Sequence, residues 1–187
     1  AEIRFKMENG LRIVTNDGER QTTLMDLKTA ANASMYPDVA TLPNWHVYDS
    51  NIGHSPDLYH TYRIYRNADG MTYSAYHQIE GDGGWIQQIE DADTSNRMDK
   101  TPPRFIVLAQ GGTAKIDYVR IYKRLNVLTD PAVLSAEKNV MWLNEDFSSP
   151  DSDLIRLNYM EITDGTLSAH KLAEGTNGSA AVPLSSF

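Results

Sequence analysis

The chain alternates between apolar and polar positions. In "EIRFKM", Ile3, Phe5 and Met7 fall on one face and Glu2, Arg4 and Lys6 on the other, the period of two that marks a half-buried strand. "ENG" follows, then "LRIVT", in which Leu11 and Ile13 face together, so the pattern predicts a hairpin between the two runs. Leu58 to Tyr65 and Met71 to Gln78 alternate in the same way around "RNADG", whose Asn, Asp and Gly suit a tight reversal. "GDGG" turns into "WIQQIED", and "TPPRFIVLAQGG" leads through a glycine pair into "AKIDYVRIYK".

Two segments break the rhythm. Thr22 to Pro43 has Leu24, Met25 and Leu27 before a run of alanines, which suits a turn or two of helix, but its two prolines and missing apolar stripe suit a loop or short strands. Residues 125–142 are weakly periodic, and "DPAVLSAEK" predicts a short helix capped by Asp130 with Pro131 in its first turn. Strand-like sequence returns with "LNEDFSS", a hairpin around Asp164 and Gly165, and a last strand in "SAAVPLSSF". The expected fold is all-β: an antiparallel two-sheet β-sandwich of jelly-roll or Greek-key type.

Composition narrows the function. A length of 187 residues suits one sandwich domain. A net charge of -8 argues against nucleic acid, whose affinity comes from clustered Lys and Arg. Without cysteine there is no disulfide framework, thiolate metal site or cysteine nucleophile. No apolar run approaches the ~18 residues of a spanning helix, and the first residues lack a signal-peptide pattern.

"YHTYRIYRNADGMTYSAY" resembles paired strands of the concanavalin A-like lectin and glucanase superfamily, in particular its laminarinase-like members. "AKIDYVRIYKR" is similar to the strand that closes those domains, and "NEDFSS" to the strand that opens them. The closing phrase comes first here. The resemblance therefore implies a circularly permuted sandwich, natural or engineered, with residues 1–124 as main body, 125–142 as connector and 143–187 completing the same sandwich, as a monomer or strand-swapped dimer. The competing reading is a chain that straddles two consecutive repeats.

The resemblance also frames the chemistry. The hydrolases of that superfamily carry Glu-x-Asp-x-x-Glu on one strand, and neither Glu90, Asp91 and Asp93 nor Glu80 and Asp82 reproduce it. A polysaccharide lyase would need Tyr and His; Tyr76 and His77 are adjacent and point to opposite faces, which leaves His77 with Tyr73 or His46. A carbohydrate-binding surface asks for aromatic planes and polar groups, and its candidates are Trp45, Tyr48, Tyr73, Trp85, Gln87, Arg63 and Asn44. The plainer role for the tryptophans, and for Tyr62, Tyr118 and Tyr122, is core packing. Related sandwiches hold a structural calcium, for which Asp117 is the matching ligand, with Asp146 or Glu145 beside it. The expected function is a non-catalytic carbohydrate-binding or accessory module of an extracellular or periplasmic polysaccharide-handling protein. The alternatives are a lyase or divergent glycoside hydrolase, and an adhesion or structural domain without a sugar site.

Overall fold

A computed structural model describes residues 1–16, 21–29, 35–37, 46–47, 57–66, 72–81, 83–93, 104–124, 139–152 and 155–183. Every regular element among them is a strand, and no helix among them is long and apolar enough to cross a membrane.

The strands pair antiparallel and form two sheets whose apolar faces share one core. The front sheet contains β1 (Glu2–Met7), β6 (His60–Arg66), β7 (Thr72–Ile79), β8 (Ile86–Asp93) and the short edge β5 (His46–Val47), in that order. On the other side of β1 runs the C-terminal half of β9 (Arg104–Arg124), followed by β10 (Asn139–Glu145). The back sheet contains β2 (Gly10–Asn16), β3 (Gln21–Thr29), β4 (Met35–Pro37) and the N-terminal half of β9. Thr22 to Pro43 thus resolves, where it is described, into strands. The helix expected from "DPAVLSAEK" lies outside the described residues.

The "ENG" hairpin is not formed. β1 and β2 do not pair with each other; both run antiparallel to the single long strand β9, Met7 opposite Ala114 and Leu11 opposite Ala109. Strand and partner bend together and pass from one sheet to the other. Gly111 and Gly112 make this corner in β9 with φ of 64° and 65°, a left-handed conformation that costs a side-chain-bearing residue more than glycine. The Glu8 amide donates to the Thr113 carbonyl at 2.8 Å, and the Glu8 carboxylate accepts from the Thr113 amide at 2.9 Å, which pins the corner from the opposite strand.

The expected hairpins elsewhere do form. β6 and β7 pair from His60 opposite Ile79 to Arg66 opposite Tyr73. β12 (Met160–Thr163) and β13 (Thr166–Pro183) close around Asp164 and Gly165, whose φ values of 51° and 70° are those of a two-residue turn matched to strand twist. β13 then follows β9 around the corner, and β11 (Ile155–Asn158) pairs with its far end.

Strand alternation builds the core. Ile3, Phe5, Leu11, Ile13, Tyr62, Val119 and Ile116 pack in one apolar cluster with Leu143, Phe147, Met160 and Leu167 from the C-terminal segment. β10 lies directly on β9, Leu143 opposite Ile121 and Glu145 opposite Val119. Phe147 enters the core at 1% exposure with a left-handed φ of 55°. Its amide donates to the Glu145 carboxylate at 2.9 Å, and the Ser152 hydroxyl donates to the other Glu145 oxygen at 2.7 Å. This local network holds the unusual backbone in place.

Candidate functional site: the outer face of the front sheet

The residues that alternate away from the core form a polar face with aromatic rings set into it. Register places Glu2 between Arg63 on β6 and Arg120 on β9, with Asn144 beyond Arg120, and with Tyr76 and then Gln87 beyond Arg63. One row of side chains therefore crosses six strands, Asn144, Arg120, Glu2, Arg63, Tyr76, Gln87.

Glu2 is the centre of this row and only 3% exposed. A buried carboxylate is stable only when its charge is met by partners. Here the Arg63 Nε donates to one oxygen at 2.5 Å and an Arg120 terminal nitrogen to the other at 3.3 Å. Burial first, then the Glu2 charge and hydrogen bond, push the Tyr118 phenol up to about 12.

Both arginines lie over aromatic rings. The Arg63 guanidinium carbon is 4.0 Å from the centre of the Trp85 ring, and that of Arg120 is 4.0 Å from the centre of Tyr118. Such cation–π contacts are worth ~0.5 to 2 kcal/mol and hold flat groups parallel. Arg120 is anchored a second time, its Nε donating to Asn144 Oδ1 at 2.9 Å. The face thus carries two platforms, Arg63 on Trp85 and Arg120 on Tyr118, on either side of one carboxylate.

A second ionic cluster lies further along β1. Arg4 bridges Asp117 and Glu80, the latter at 2.7 Å, and its guanidinium covers the Tyr59 ring at 4.4 Å. Lys6 approaches the same ring at 5.1 Å. A groove of about 440 Å³ opens beside the corner, lined by Lys6, Glu8, Asp57, Thr113 and Lys115 among others. It is built from the charged rim of the corner and takes in neither platform.

The structure gathers Arg63, Trp85 and Gln87 from the expected sugar-binding set. Trp45, Tyr48 and Asn44 lie outside the described residues, and Tyr73 is described only by its backbone, opposite Arg66 and Ala92. Tyr118, expected to pack in the core, faces outward instead. Sequence reasoning did not find Glu2, Arg120, Asn144 or Tyr76; alternation assigns Glu2 to the outer side, but only long-range register shows which arginines meet it.

Of His77, Tyr73 and His46, the residues considered for a lyase, only His77 has a described side chain. His77 points into the core at 0% exposure, its Nε2 2.9 Å from His60 Nδ1 and its ring stacked on Tyr62 at 4.6 Å. Core burial removes it from any solvent-side cleft on this sheet. His46, placed by its backbone on the edge strand β5, is paired with Glu90.

Each expected calcium ligand has a partner within the chain. Asp117 is held by Arg4, the Glu145 oxygens accept from Phe147 and Ser152, and exposed Asp146 accepts from the Ser148 amide at 3.1 Å. Hydrogen bonding to Ser148 lowers the Asp146 carboxyl below its ordinary value. Among the described residues no three His, Cys, Asp or Glu side chains converge to hold a metal.

No family model, curated protein or solved structure matches this chain. The functional reading rests on the face itself.

Proposed function

We propose that the protein is a non-catalytic carbohydrate-binding or accessory module with a concanavalin-like sandwich, part of an exported polysaccharide-handling protein, and that the outer face of its front sheet takes the glycan. The observation that carries this reading is the Arg63–Trp85 platform at 4.0 Å, with Gln87 and Tyr76 in register beside it. Sugar rings present apolar C–H faces to aromatic planes and hydroxyls to fixed polar groups. An indole backed by a guanidinium and flanked by amide and phenol groups supplies both. Binding rather than turnover is supported by the state of the carboxylates. Glu2 is covered by two arginines, and Asp117 and Glu80 share Arg4, so each of these carboxylates is tied to a cation.

The test is a panel of soluble and insoluble polysaccharides probed with wild type and Trp85→Ala, together with assays for new reducing ends and unsaturated products. Wild type is expected to bind at least one glycan without releasing product. Trp85→Ala is expected to lose about tenfold or more in affinity, about 1.4 kcal/mol, while keeping a wild-type circular dichroism spectrum. Retention of no glycan, or product formation, would overturn the proposal.

A further inference from the structure

The two platforms share one support. Arg63 and Arg120 stand on strands separated by β1, about 10 Å apart at the usual strand spacing. Each guanidinium is oriented by a different oxygen of Glu2, and each lies 4.0 Å from its ring. Tyr118, the ring beneath Arg120, is near enough to Glu2 for that charge to help raise its phenol, after burial. An arginine side chain released from such an anchor regains several rotatable bonds, and its plane no longer has a fixed relation to the ring. Both arginines of the row therefore share one buried carboxylate.

We propose that Glu2 is the positioning residue of this face: it holds both arginines on their rings, so that the two platforms act as one site selecting an extended saccharide chain that lies across β6, β1 and β9 rather than a single sugar. This rests on the carbohydrate reading above. A lone pyranose covers one platform only, whereas a chain crossing the strands touches both. Glutamine at this position keeps the size of the side chain but offers one acceptor oxygen in place of two, and its amide N–H₂ faces whichever arginine the oxygen does not serve. At least one platform then loses its anchor.

The experiment compares wild type and Glu2→Gln on ladders of β-glucan, mannan and polyuronate oligosaccharides of increasing length, alongside an NMR titration of the Tyr118 ring without ligand. For wild type, affinity is expected to climb with chain length until both platforms are covered. Glu2→Gln is expected to lose that gain, by tenfold or more on long chains and less than twofold on the shortest. Burial, the largest cause of the raised Tyr118 phenol, is kept in Glu2→Gln, but the carboxylate charge is gone, so its titration is expected to fall below about 12. Wild-type affinity for long chains in Glu2→Gln, or an equal loss at every length, would overturn the positioning role. An unmoved Tyr118 titration would do so whether or not a glycan binds. If wild type binds none of the ladders while the titration does shift, the carbohydrate reading and the spanning ligand fall, and Glu2 keeps only the role of organising the cluster. Should Glu2→Gln not fold, Arg63→Lys carries the test: it keeps a cation beside Glu2, loses the planar cover of Trp85, and is expected to lose the same gain with length.

Discussion

Burial, and after it the nearby Glu2 charge, favours the protonated form of the Tyr118 phenol. A phenol raised to about 12 in the native state, against 10.0 when free, contributes stability that is complete below the free value and is lost as pH climbs through the native one. The expected outcome is a drop in the urea midpoint between pH 10.0 and about 12 that is clearly shallower in Tyr118→Phe; equal drops in the two proteins would contradict it. The same residue shows what one sequence conveys. Tyr62 and Tyr118 both occupy strands with alternating patterns, and both suit packing; Tyr62 is buried and Tyr118 faces outward. Adjacent Tyr76 and His77 had to point apart, and that much is fixed by strand geometry. Which of them entered the core depends on the register of β6 and β7, with His77 stacking on Tyr62 and His60 inside and Tyr76 beside Arg63 outside.

At the scale of the element, two short turn-like phrases separate local from distant causes. "TDGT" closes a hairpin because Asp164 and Gly165 both take the left-handed conformation themselves. "ENG" carries similar residues and forms a corner, with Gly10 already inside β2, because the left-handed residues that make the bend are Gly111 and Gly112 on the partner strand. Nothing within "ENG" reports on a partner a hundred residues away. Alternation makes the strands and their buried faces legible, whereas pairing order is settled by contacts between distant segments. The corner yields a direct test. Alanine at Gly112 would adopt a φ of 65° and bring its Cβ to 3.0 Å from a Glu8 carboxylate oxygen. The Glu8 carboxylate can shift only by giving up its hydrogen bond to the Thr113 amide, which adds to the backbone strain, and Gly112→Ala is expected to cost about 1 to 3 kcal/mol in urea unfolding. Unchanged stability would show that the bend is made elsewhere.

Across the whole molecule, β10 lies against the C-terminal half of β9, Asn144 opposite Arg120 within a single chain. Leu143, Phe147, Met160 and Leu167 join the cluster built by Ile3, Phe5 and Tyr62. The pairing of β10 with β9 also brings Asn144 to the end of the polar row, so the row draws on residues from distant parts of the sequence. In a chain of net charge -8, the arginines of this face are matched at close range by Glu2, Asp117 and Glu80. The most direct test of the account is to map amide chemical-shift changes during titration with a glycan that the wild-type protein retains. The predicted shifts concentrate on Glu2, Arg63, Tyr76, Gln87, Tyr118 and Arg120. Shifts confined to the back sheet or to the corner around Gly112 would contradict it.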